Sequence, residues 1–94
     1  GSEKDRRAAR RANAQARKRL APLRKIVKET EQKMTRLQAE HQRIAQALAD
    51  PSLYQEAPDK LASLNLQRSQ TEKAIAEAES AWMAAEEELE AAKV

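Results

Sequence analysis

The chain has 94 residues, of which 35% are charged and 2% aromatic, with one Gly, one His and no Cys or Phe. Such a length makes at most one small domain, and a single Trp and a single Tyr do not fill an ordinary globular core. Without Cys there is no disulfide, thiol redox site or cysteine zinc cluster, one His makes no multi-histidine metal site, a lone Gly at position 1 leaves no phosphate-cradling loop, and no apolar run nears the roughly 18 residues of a membrane span.

High charge with little Gly fits long helices or a coiled coil. Disorder is the rival reading, and periodicity has to decide between them. The start is charged and has no apolar h-region, so a cytoplasmic protein without membrane contact is expected. The net charge of +3 conceals an asymmetry. Residues 1–28 hold 11 Lys/Arg and 2 Asp/Glu, a net +9, whereas residues 29–94 hold 7 Lys/Arg and 13 Asp/Glu, a net −6. For isolated helices this order is unfavourable, because helix N-termini prefer negative charge and C-termini positive charge.

Gly1-Ser2 reads as the remnant of a cleaved tag. Residues 3–19 lack a seam, since Arg6, Asn13 and Ala16 occupy the places where apolar residues belong. Ala and Arg are strong helix formers, but isolated helices this short are marginal. Residues 1–19 are therefore expected to be a basic linker, either a frayed extension of helix 1 or a disordered arm.

From Leu20 a heptad is clear. Leu20, Val27, Met34, His41 and Leu48 recur every seven residues, as do Leu23, Thr30, Leu37 and Ile44. Their alternating gaps of three and four are those of coiled-coil a and d positions. Asp50-Pro51 ends the pattern, because Pro disfavours helical geometry in the residue before it. Helix 1 is placed at about 20–49, the tip at 50–57 with a short helical turn near Pro51–Gln55, and helix 2 at about 58–92, opened by Pro58 and Asp59.

Helix 2 carries its own heptad: Leu61, Arg68, Ile75, Trp82 and Leu89 at one seam position, and Leu64, Thr71, Ala78, Ala85 and Ala92 at the other. The short connection cannot return along helices about 45 Å long, so the two must be antiparallel. The predicted fold is all-α: residues 20–94 form a two-helix antiparallel coiled-coil hairpin with a short helical turn at its tip. One register sets Thr30 against Trp82, Met34 against Ala78 and Leu37 against Ile75, facing large residues with small ones. A shift of one heptad sets Leu23 against Trp82 and Thr30 against Ile75. Leu53 and Tyr54 are expected to plug the tip, and Arg24–Glu86 and Arg19–Glu88 to pair across the flanks.

Leu48-Ala49-Asp50-Pro51-Ser52-Leu53-Tyr54, the opening Leu20-Ala21-Pro22-Leu23-Arg24-Lys25, and Trp82 followed by the acidic Glu86–Glu90 stretch together resemble the C-terminal coiled-coil domain of bacterial ABC-F ATPases of the Uup-like and YheS-like kind. The resemblance covers Leu20 to Val94. It implies a parent protein with two nucleotide-binding cassettes, action on the ribosome or on translation, and, in Uup-like members, DNA binding by this hairpin. Neither a Walker A nor a signature motif is present in this chain, so ATP and Mg are expected only in the absent cassettes, and no cofactor and no enzyme activity are assigned to the chain.

The basic stretch is the main functional candidate. If helical, it carries Lys4, Arg11, Lys18 and Lys25 at f, Arg10, Arg17 and Arg24 at e, and Arg7 and Lys28 at b, all on an outer face. Such a stripe fits a phosphate backbone, and Arg suits bidentate phosphate contacts. Arg7, Arg10, Arg11, Arg17, Lys18, Arg24, Lys25 and Lys28 are the candidate nucleic-acid-binding residues, for DNA or ribosomal RNA/tRNA. A solvated face pairing with acidic helix 2 is the plainer alternative. Trp82 and Tyr54 are read as packing residues rather than base-stacking ones, His41 as a polar layer fixing register, and Glu86–Glu88 as a solvated face. The competing function is a protein-interaction coiled coil that docks on the parent cassettes or self-associates; in isolation a monomeric hairpin is expected.

Overall fold

With glycine only at the first position, the backbone can break at few places besides its prolines, Pro22, Pro51 and Pro58. The computed structural model describes residues 1–93. It consists of three helices, two of them long: α1 (Ser2–Leu48), α2 (Ser52–Glu56) and α3 (Pro58–Ala91). Together they form an extended body of 81 × 15 × 15 Å.

α1 begins far ahead of Leu20. Residues 3–19 continue the helix without interruption, as an extension of helix 1, the first of the two forms expected for this stretch, so the helix begins well before residue 20. Local chemistry accounts for the difference. The segment is built from Ala, Arg, Lys and Gln with no breaker, and Glu3 and Asp5 lie in its first turn, where negative charge is favourable. Pro22 then sits inside α1. Lacking an N–H, it leaves the Lys18 carbonyl without its helical donor, a defect that solvent can satisfy because Pro22 is exposed.

α1 ends at the Asp50-Pro51 break. Asp50 accepts hydrogen bonds from the Ser52 N–H (3.0 Å) and Ser52 Oγ (2.9 Å). These bonds hold the Asp50 carboxyl below the usual carboxylate range. α2 is a single turn. Ala57 (φ −143°, ψ 64°) leads out of it, and Pro58 opens α3 with Asp59 in the first turn, where Pro needs no donor and its fixed φ is already helical.

The best-buried cluster joins the three helices at this connection. Ile44 and Leu48 of α1, Leu53 of α2 and Leu64 of α3 pack together, with Ala47, Ala57 and Leu61 around them. Away from the connection, α3 buries only small or polar residues: Thr71, Ala78 and Ala85. Thr71 is satisfied within its own helix, its hydroxyl donating to the Gln67 carbonyl at 2.8 Å. On α1, Leu20, Leu23, Val27, Thr30, Met34 and Leu37 are half-buried in heptad order.

Two contacts fix how α1 and α3 lie. His41 Nε2 is 3.2 Å from Glu72 Oε1, and Trp82 Nε1 donates to Glu31 Oε1 at 3.4 Å. Residue numbers fall on α1 as they rise on α3, and both contacts have the spacing of the Thr30–Trp82 register, one heptad from the alternative. Further along, Leu20 and Arg24 share a shallow groove with Leu89, Glu90 and Lys93. α1 before Leu20 therefore overhangs α3, by about 27 Å at 1.5 Å per residue, and residues 1–13 are all exposed.

Two details depart from the sequence reading. Arg68 was expected in the seam, but its side chain is 48% exposed and the neighbouring Gln67 is half-buried instead. Tyr54 was expected to plug the tip, but it is 58% exposed; only its hydroxyl is tied down, donating to the Leu48 carbonyl at 3.0 Å. Leu53 alone fills the space between the long helices, since one short turn can aim only one large side chain inward.

Candidate nucleic-acid interface

A regular helix turns about 100° per residue, which places Arg7, Arg10, Arg11, Arg17, Lys18, Arg24, Lys25 and Lys28 within an arc of roughly 140°. Its centre lies roughly 140° around from the Leu20–Leu23–Val27 seam. All eight are exposed, and from Arg7 to Lys28 the stripe is about 32 Å long. It therefore faces away from α3 along most of its length, Arg24 alone bordering a groove with α3 residues.

The eight are not equally free. Glu3 sits among the first of them, with its carboxylate 3.8 Å from Arg7 and 3.7 Å from Arg10. Lys25 lies 3.8 Å from Glu29 one turn on. Exposed pairs of this kind contribute about 0–1 kcal/mol, so a phosphate can replace them at little cost. Arg11, Arg17, Lys18, Arg24 and Lys28 make no ion pair among the described residues. The expected Arg24–Glu86 and Arg19–Glu88 pairs do not form among the described residues either. Arg24 and Glu86 merely border the same groove, because water competes well for long exposed side chains.

The stripe also continues beyond the eight. Arg36 and Arg43 fall on the same side of a straight α1, although a heptad count places them at c. Arg43 is held by Glu40, its Nε 3.0 Å from Glu40 Oε2. That bond pulls the Glu40 carboxyl below its ordinary range and pushes the Arg43 guanidinium up. A count at 3.6 residues per turn, rather than in heptads, finds both arginines from sequence.

Helix by helix, the charge asymmetry becomes lateral. α1 carries 14 Lys/Arg and 5 Asp/Glu, a net +9, while α3 carries 3 Lys/Arg and 8 Asp/Glu, a net −5. Residues 3–19, which overhang α3, hold +6 of the α1 charge, and residues 20–48, which lie beside α3, hold the remaining +3, so the body has a basic end and flank opposite an acidic flank. A polyanion is attracted to the first and repelled by the second, so only one orientation is favourable.

The other candidates are accounted for structurally. His41, with Glu72 at 3.2 Å, and Arg68, 3.8 Å from the same Glu72 oxygen, form a polar crosspiece midway along the seam. Trp82 is half-buried between the helices. Among the described residues no group of three or more His, Cys, Asp or Glu gathers as metal ligands would, and no helix is long and apolar enough to cross a membrane. No protein-family model, curated protein or solved structure matches the sequence.

Proposed function

We propose that the chain is an antiparallel coiled-coil hairpin serving as a non-catalytic accessory domain, similar to the C-terminal domain of a cytoplasmic ABC-F ATPase, and that it binds DNA or ribosomal RNA/tRNA through phosphate contacts. The observation that carries the reading is the exposed stripe of Arg7, Arg10, Arg11, Arg17, Lys18, Arg24, Lys25 and Lys28, turned away from an acidic α3. Guanidinium and ammonium groups spaced along one helix neutralise phosphates and release their counterions. Trp82 is half-buried and engaged with Glu31, and Tyr54, although exposed, lies at the tip far from the basic stripe, so no aromatic accompanies the stripe to stack on bases. Binding is accordingly sequence-independent.

Fluorescence anisotropy against duplex DNA, tRNA and ribosomes, titrated with salt, tests this. Each neutralised phosphate of a duplex adds about −0.9 to the slope of log K against log salt, and a slope near zero overturns the reading. Replacing Arg10, Arg11, Arg17 and Lys18 together by Glu is expected to abolish binding while helicity by circular dichroism is retained. The second reading, a protein-interaction coiled coil that docks on parent cassettes or self-associates, draws on a different observation, the acidic flank with exposed Met83.

A further inference from the structure

The overhang of α1 is a helix with no partner along its length. Ala9, Ala12 and Ala16 succeed one another at i, i+3 and i+7, a narrow line of small residues on the side that faces α3 farther along. Arg6, Arg10 and Arg17 flank this line on one edge and Arg19 on the other. Residues 3–19 hold 8 Lys/Arg and 2 Asp/Glu, a net +6.

On α3, Met83 is 53% exposed and stands between two open grooves. One, of about 280 Å³, has a floor of Met34, Trp82 and Met83 and a rim of Glu31 and Glu79. The other, of about 400 Å³, runs along Ala76, Ser80 and Ala84 between Glu79 and Glu87. Residues 72–90 hold seven Glu against Lys73, a net −6. An apolar floor, small residues that admit a close backbone, and a carboxylate rim suit a helix of alanines edged with arginines.

We propose that these grooves receive the N-terminal overhang of a second copy of this chain, giving a two-fold symmetric dimer. The alanine line lies across Met83, and the flanking arginines reach Glu79 and Glu87. The opposite net charges match in size, and the axial distances close. Glu31 is level with Trp82, and Leu20 lies midway between Ala9, near the centre of the overhang, and Glu31. A two-fold axis level with Leu20 therefore carries each overhang onto the Trp82–Met83 level of the other copy. Both contacts form at once, and the assembly stops at two chains. Arg7, Arg11 and Lys18 point away from the contact, whereas Arg10 and Arg17 belong to both surfaces, so the dimer is tested in the absence of nucleic acid. The proposed dimer departs from the monomer expected from sequence, and it draws on two features that seam counting does not register: an unpartnered helix and an exposed methionine.

Sedimentation velocity without nucleic acid tests the proposal. Runs at ~0.1 M and ~1 M salt shorten the screening length from about 10 Å to about 3 Å. At the lower salt a two-chain species is expected to grow with concentration, and at the higher salt to recede. Glu79→Lys with Glu87→Lys in one chain, or Arg10→Glu with Arg17→Glu in another, should each weaken self-association at least about tenfold. All four positions are exposed, and circular dichroism checks that folding is kept. Mixing the two variants leaves one contact with its original signs and gives the other reversed signs, and should restore the dimer. A single-chain species at every concentration at low salt, a dimer indifferent to the substitutions, or a mixture that stays monomeric overturns the proposal.

Discussion

Among the described residues Ile44 is the one large side chain with no exposed surface, and it lies where α1, α2 and α3 meet. Truncating it removes apolar contacts to Leu48, Leu53 and Leu64 and leaves a cavity that three converging helices cannot close. Ile44→Ala is therefore expected to cost about 2–5 kcal/mol, read as a lower midpoint in urea or thermal unfolding. The same change at Leu20, which is half-buried at the far end of the pair, should cost clearly less. Single residues are also where sequence reading loses accuracy. Arg68 falls on a seam position by count, but its long side chain reaches outward to Glu72, and Gln67 takes the half-buried place. A one-residue rotation of this kind is invisible to periodicity, because a flexible Arg satisfies either face by snorkelling.

The elements themselves were legible wherever apolar residues repeat. Leu20 to Leu48 and Leu61 to Leu89 announce two helices, and Asp50-Pro51 and Pro58 mark the breaks between them. Over residues 3–19 the sequence left a helical extension and a disordered arm both open, because nothing apolar repeats there and only intrinsic propensity and first-turn charge decide. Of the candidate interface, the exposure and shared face of the eight basic residues follow from that helix, whereas the ties of Arg7 and Arg10 to Glu3 depend on rotamers that sequence does not specify. The weakest point of α1 is Pro22. Ala there restores a donor to the Lys18 carbonyl and relieves the ring clash. Proline in a helix interior costs about 3 kcal/mol relative to Ala, some of it already absorbed by the exposed site. Pro22→Ala is thus expected to raise the unfolding midpoint and the helical signal at 222 nm (the standard far-ultraviolet band for helix). A lower midpoint would mean that Pro22 is needed to align Leu20 and Leu23 with α3.

For the molecule as a whole, packing is graded. Leucines and Ile44 crowd the connection, whereas farther out α3 offers Ala78 and Ala85 to half-buried Met34 and Val27. Local stability follows apolar burial. Amide hydrogen exchange is therefore expected to be slowest around Ile44–Leu48 and Leu61–Leu64, faster toward Leu20–Val27 and Ala85–Leu89, and fastest in residues 3–19. Uniform protection along α1 would show instead that the long helix is stable without its partner. The seam positions were legible from periodicity but this gradient was not, since a heptad treats Ala and Leu alike as apolar.

The grading has a kinetic counterpart. Leu48 and Leu64 meet across a short stretch of chain, whereas Glu31 and Trp82 close a loop roughly three times longer. Closing the longer loop from an open chain costs about 1 kcal/mol more in entropy, with weaker packing to offset it. Once the Asp50–Ala57 connection is formed, each further pair closes only a few residues beyond the last. The helices are thus set to zip from Leu48 toward Leu20, and the basic overhang is the last part of the chain to learn where the rest of the molecule lies.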